Sequence, residues 1–181
     1  GDPQDPGTIV GPMISRAHLA KVRHYIELGP KEGAEITVGG LDAPEGLPER
    51  VKNGNYVRPT VFANVRNDMQ IAQDEIFGPV ACVIPFDDEA DAVRIANDIR
   101  YGLSSYVWSQ DIGRAHRVAR QVAAGMCFVN SQNVRDLRQP FGGTKDSGTG
   151  REGGTWSYEV FLEPKNICVS MGSHPIPRWG V

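Results

Sequence analysis

Residues 139–154, QPFGGTKDSGTGREGG, crowd six glycines around one aromatic, Phe141. Glycine has no Cβ, so each of these positions reaches backbone conformations closed to other residues and admits a ligand or a neighbouring segment at close range. That freedom costs entropy, and a run this dense needs a structural reason. Gly143 and Gly148 have the spacing of a phosphate-binding GxxxxGK[ST] loop, but Thr149 and Gly150 stand where Lys and Ser or Thr must be. Gly148, Gly150 and Gly153 spell GxGxxG, the dinucleotide fingerprint, which requires an apolar strand before it and an acidic residue about 20 positions after it. Pro140, Lys145 and Asp146 make no such strand, and nothing acidic follows Glu163. The run fits better as a shaped turn between a strand and a helix, with Phe141 pointing into a pocket and the glycines keeping its wall thin.

The segment before this turn alternates two periods. Residues 80–86 are continuously apolar, Asp87 or Asp88 can cap a helix with Ala92, Ala96 and Ile99 on one face, and that helix is expected to end near Gly102. Residues 105–108 make the next strand, Asp111 caps a second helix with Ile112, Ala115, Ala119 and Val122 inward, and Gly125 precedes a strand over 126–130. Strand, helix, strand, helix, strand with short links predicts an α/β fold, a parallel open sheet with covering helices. Ligands of such sheets sit at the carboxyl ends of the strands, which puts Asn130 and the glycine run at the functional rim.

On the N-terminal side, Ser15 can cap a helix, Ile14 and Leu19 can staple its start, and Leu19, Val22 and Ile26 share a face before Gly29-Pro30 interrupts. A short strand is expected over 35–38, little structure over 39–55, and an extended run over 56–65 in which Pro59 marks an edge or a bulge. After the glycine run, residues 151–161 read as a helix weakened by two glycines, with Pro164 stopping it. A last strand, 166–171, starts at Asn166 and alternates Ile167, Val169 and Met171 on one face. It stands apart from the crossover units, as an arm that pairs with another sheet or subunit.

Composition narrows the function. A net charge of −3, 40% hydrophobic residues, no block of like charge and no apolar run of membrane-spanning length give no reason to expect nucleic acid or membrane as a partner. Cys82, Cys127 and Cys168 are odd in number, show no CxxC and lie in apolar runs, which reads as reduced core cysteines of a cytosolic, cytoplasmic protein. His18, His24, His116 and His174 are scattered without the spacing of a metal site. The chain opens at Gly1 without Met, as an internal piece of a larger protein would.

Four motifs then occur in a fixed order: Gly11-Pro-Met-Ile-Ser15, Pro59-Thr-Val-Phe62, Glu75-Ile-Phe-Gly-Pro-Val80, and Pro140-Phe-Gly-Gly-Thr-Lys145 followed by Ser147-Gly-Thr-Gly-Arg-Glu152. In that order and spacing they resemble the NAD(P)-dependent aldehyde dehydrogenases over nearly the whole chain. The resemblance implies that residues 1–164 are the C-terminal part of the catalytic domain and 165–181 an oligomerisation strand and tail, giving a homo-oligomer. In that family the dinucleotide domain, the general-base glutamate and the nucleophilic cysteine all precede the matching segment. The nucleophile must add to the aldehyde before hydride leaves to the nicotinamide, and water then cleaves the thioester. None of the three cysteines falls at the nucleophile's place, so this chain alone is expected to be inactive.

The resemblance also implies roles. Glu75 matches the glutamate that accepts hydrogen bonds from the nicotinamide ribose, and Phe77 the aromatic beside the nicotinamide ring; without the family match they would read as a helix-end acid and a core aromatic. Phe141 matches a wall of the substrate tunnel. Glu152 matches a glutamate suggested to relay protons through water, though capping a helix that starts near Arg151 would explain it equally well. Lys145 reads as structural. The family discriminates NAD from NADP with upstream residues, so the expected cofactor is NAD, with NADP open.

Residues 131–139, SQNVRDLRQ, match the loop that anchors substrate, and they carry Arg135 and Arg138. Arginine suits bidentate capture of a carboxylate, so two in one loop favour an anionic aldehyde. The pattern resembles semialdehyde dehydrogenases of aromatic catabolism, with a muconate-type substrate. Either arginine could instead pair with Asp136, and Arg135, beside that acid, is the one expected to do so, leaving Arg138 to meet substrate. Two classes stay open: part of a working NAD-dependent aldehyde dehydrogenase, or a non-catalytic truncated product or assembly module that pairs through its last strand.

Overall fold

The computed structural model describes residues 1–173 together with 175, 178 and 180. His174, Ile176, Pro177, Trp179 and Val181 lie outside the described residues. Contacts divide the chain into two compact units, Gly1–Arg100 with Gln110–Ala123, and Tyr101–Ser109 with Ala124–Val181.

In the first unit α1, Arg16–Glu32, begins where Ser15 turns extended and its hydroxyl accepts from the His18 amide at 3.1 Å. Ile14 stays 91% exposed, so the expected staple with Leu19 does not form. The helix also continues through Gly29-Pro30 instead of stopping there, and ends at Gly33, whose φ of 98° is left-handed. Pro30 lies in the last turn, where its missing N–H removes a single helical bond. Gly29 is needed for close packing, since a Cβ there would lie 2.4 Å from Cε1 of the fully buried Phe62.

Phe62 belongs to β2, Thr60–Ala63, which runs antiparallel to β1, Glu35–Val38, and parallel to β3, Val80–Cys82. β2 is therefore the central strand of three, not the edge that Pro59 led us to expect. Pro59 stands just before the first strand residue, where a missing donor is tolerated, and the irregularity falls between Ile36 and Val38. Val22, Ile26, Phe62, Val65, Met69 and Ile71 are each 2% exposed or less and form the core between α1 and this sheet. α2, Gln70–Gln73, starts on the Glu32 carboxylate, which accepts from the Gln70 amide at 2.8 Å and the Ile71 amide at 3.3 Å.

α3, Glu89–Asn97, is capped by Asp88, and α4, Ile112–Gln121, by Asp111, as the sequence indicated. α3 ends at Asn97, short of Gly102. Asn97 there links the two helices, donating to the Gln121 carbonyl at 2.8 Å and accepting from the Ala123 amide at 2.7 Å.

In the second unit β4, Tyr101–Gly102, pairs antiparallel with β7, Thr144–Lys145, and β5, Ser104–Val107, pairs parallel with β6, Met126–Val129. The α/β class stands, and β5, α4 and β6 follow one another as expected. The single parallel sheet does not, because β3 pairs with β2 and the described strands divide among three small sheets. α5, Trp156–Phe161, starts five residues later than expected, since Gly153 and Gly154 take φ of 100° and 51°, outside helical geometry. Residues 166–171 form no strand; Ile167 and Val169 are 73% exposed and Met171 96%. Strand geometry needs a ladder, and no described segment offers this one. Cys127 and Cys168 are exposed and only Cys82 is half-buried, so two of the three cysteines are not core residues.

Candidate functional site

The first candidate surface lies wholly in the first unit, just after α2. Ile76 is buried and anchors the chain, while its neighbours Glu75 and Phe77 face outward. Phe77 is 70% exposed and holds φ at 55°, a left-handed conformation that costs a bulky residue roughly 1–3 kcal/mol. Three α1 side chains meet this step. His18 Nε2 lies 2.5 Å from the Phe77 carbonyl, Lys21 Nζ donates to the Glu75 carbonyl at 2.8 Å, and Tyr25 donates its hydroxyl to Asp74 at 2.9 Å. Gln70 donates to the same Asp74 carboxylate at 2.8 Å; this bond first, then that of Tyr25, holds the Asp74 pKa below its ordinary value. The Glu75 carboxylate has no ion pair among the described residues. An acceptor-only carboxylate beside an exposed ring fits a sugar diol attached to a flat heterocycle.

The second surface belongs to the second unit. A cavity of about 520 Å³ is lined by Met126, Cys127, Phe128, Arg135, Phe141 and Glu152, among others. Phe141 and Glu152 are fixed to each other by two backbone bonds, Phe141 N to Glu152 O at 2.6 Å and Glu152 N to Phe141 O at 2.8 Å. Glu152 is therefore a bridge residue and caps no helix, because α5 begins only at Trp156. The glycines do keep the wall thin: a Cβ on Gly125 would lie 1.8 Å from the Gly142 carbonyl, and one on Gly153 2.2 Å from that of Gln139. Lys145 lies in β7 with φ of 54°. Asn130 closes the end of the parallel pair, accepting from the Ser109 amide and donating to its carbonyl, both at 2.9 Å.

Asp136 pairs with the other arginine than the one expected. Arg138, not Arg135, takes Asp136, with Nε 2.9 Å from Oδ1 and Nη2 2.6 Å from Oδ2. The reason is local: Asp136 Oδ1 also accepts from the Arg138 amide at 3.0 Å, a two-residue turn that carries the carboxylate to the later arginine. The Arg138 side chain first, then its amide, lowers the Asp136 pKa, and the pair raises that of Arg138. Arg135 instead lies over the Phe141 ring, Cζ 4.6 Å from its centroid, and its Nε donates to Asn133 Oδ1 at 2.7 Å. No carboxylate among the described residues pairs with it.

In the sequence His18 is weighed only as a metal ligand, and Lys21 and Asn133 carry no role. The 18, 21, 25 spacing on α1 was the available signal for a shared helix face, but what that face meets depends on the fold.

No helix among the described residues is long and apolar enough to cross a membrane. The profile of the aldehyde dehydrogenase family matches residues 1–167. The 5-carboxymethyl-2-hydroxymuconate semialdehyde dehydrogenase of Escherichia coli is 58% identical over 157 residues, 87% of this chain and 33% of that protein. Among solved structures, HpcC of Thermus thermophilus superposes with a TM-score of 0.89 at 47% identity, over 99% of this chain and 35% of that one. A Mycobacterium tuberculosis aldehyde dehydrogenase complexed with NAD+ gives 0.87 at 43% identity, over 97% and 35%. The chain thus spans about one third of the length of the relatives it matches. Since the match runs through both candidate surfaces and nearly to the end of the sequence, the chain belongs to the aldehyde dehydrogenase family.

Proposed function

We propose that this chain is part of an NAD-dependent aldehyde dehydrogenase that oxidises an anionic, muconate-type semialdehyde to the acid. Residues 1–164 would form the C-terminal part of its catalytic domain and 165–181 its assembly arm. The observation that carries the substrate class is Arg135, a guanidinium with no paired carboxylate among the described residues, held over Phe141 on the lining of a cavity of about 520 Å³. The E. coli relative, named for a muconate semialdehyde, supports this class. The NAD+ complex of the mycobacterial relative supports the cofactor. Three unbridged cysteines suit a reducing, cytoplasmic setting.

In this reading Glu75 accepts hydrogen bonds from the nicotinamide ribose hydroxyls, and Phe77 packs beside the nicotinamide and excludes water. The bound dinucleotide supplies the hydride acceptor. Arg135 grips the substrate carboxylate, Phe141 walls the tunnel, and Arg138 braces the loop through Asp136. Glu152, bordering the cavity, exchanges a proton through water. Aldehyde and water give the acid, with one hydride transferred and one proton released. The nucleophilic thiol comes from outside this chain, which is inactive alone. The whole protein, supplied with NAD+ and a muconate semialdehyde, should produce NADH, and the isolated chain should not; turnover by the isolated chain, or a whole protein that ignores charged semialdehydes, would contradict the proposal.

A further inference from the structure

Resting on the assignment of Glu75 and Phe77 to the cofactor, we infer that one face of α1 is a clamp, with His18 and Lys21 as positioning residues that hold the 74–77 step in its cofactor-facing shape. The step has no regular structure of its own: helix α2 ends at Gln73 and β3 starts only at Val80. Within it, the buried Ile76 fixes one side chain and leaves the flanking backbone free to turn. Yet Phe77 sits at a φ of 55°, which a ring-bearing residue leaves unless something holds it.

What holds it is a helix face used as a ruler. His18, Lys21 and Tyr25 follow at intervals of three and four residues, so their side chains rise from one side of α1. They reach, in reverse order along the other segment, the Phe77 carbonyl, the Glu75 carbonyl and the Asp74 carboxylate. Lys21 acts twice, because its ammonium also lies 5.7 Å from the centroid of the Phe77 ring. The ruler is rigid, since Val22 and Ile26, on the adjoining positions of the same helix, are fully buried. Gly78 completes the fit, as a Cβ there would lie 2.6 Å from Val22 Cγ2.

The test uses the whole protein that carries this chain, first without dinucleotide. Lys21→Met and His18→Ala should each speed exchange about tenfold at the Asp74 and Val80 amides, which border the step and donate to the Gln70 and Gly78 carbonyls, with the amides of Val22 and Phe62 unchanged. Lys21→Arg and His18→Gln keep a donor within reach and should restore most of the protection. With dinucleotide, the disrupting pair should raise KM for NAD+ severalfold and change kcat less. Unchanged exchange at Asp74 and Val80 in both disrupting variants would overturn the clamp. So would faster exchange with NAD+ binding unaffected while Glu75→Ala does weaken it. If Glu75→Ala and Phe77→Ala both bind NAD+ as the parent does, the cofactor assignment itself falls, and the exchange rates alone then decide whether α1 holds the step.

Discussion

Arg138 closes on Asp136, two residues before it, through Nε, Nη2 and its own amide, and this pair leaves Arg135 as the loop's arginine without a carboxylate among the described residues. The Arg138 side chain is 87% exposed, so the pair shapes a turn more than it stabilises the fold. Arg138→Ala should therefore lower kcat/KM about two- to fivefold for charged and uncharged aldehydes alike. A large loss confined to charged substrates would return the substrate contact to Arg138.

Asp74 sets a pH dependence. Gln70 and Tyr25 donate to its carboxylate and hold its folded pKa below the ordinary aspartate value of about 3.9. As pH falls the unfolded chain binds this proton first, so the stabilisation is complete above about pH 5 and is lost as pH drops through the folded value. Tyr25→Phe removes one of the two donors. The difference in thermal midpoint between parent and variant should be largest near neutrality and shrink below about pH 4. A constant offset across the range would mean that the lost hydroxyl acts elsewhere.

Gly125 tests the thin wall. Its missing Cβ would overlap the Gly142 carbonyl at 1.8 Å, a backbone atom that cannot step aside. Gly125→Ala should cost about 3 kcal/mol or more in denaturant titrations. Gly11→Ala, whose Cβ would meet nothing within 4 Å, should stay within about 0.5 kcal/mol of the parent.

The exposed arm predicts assembly. Ile167, Val169 and Met171 lie open on a segment without a ladder, and an apolar row of this kind is covered when it adds to another sheet edge. Removing residues 166–181 from the whole protein should lower its mass in light scattering, whereas an unchanged oligomer would assign assembly to another surface.

Local chemistry was legible in the sequence wherever one residue decides an outcome. Ser15, Asp88 and Asp111 start their helices as their side chains dictate, and the glycine run does let backbone pack on backbone. What depends on distant partners was not legible. Pro59 looks like an edge marker until β1 and β3 are seen on either side of β2. The pairing of Tyr101–Gly102 with Thr144–Lys145 joins two-residue strands too short to carry a period. Arg135 and Arg138 could not be told apart by composition, because the turn at Asp136 chooses between them. The clamp on Phe77 needed the fold to bring α1 against a segment more than fifty positions away in sequence.

The central claim is that Arg135 reads the charge of the substrate, and the ratio of kcat/KM for a muconate-type semialdehyde to that for an uncharged aldehyde tests it most directly. In the whole protein, Arg135→Ala removes a charge-assisted pair worth roughly 1.5–3 kcal/mol, so kcat/KM for the charged substrate should fall about 10- to 100-fold. For the uncharged aldehyde it should stay within about twofold, and the ratio should collapse accordingly. Equal losses on both substrates would contradict the account and make Arg135 a support for Phe141 rather than a reader of charge.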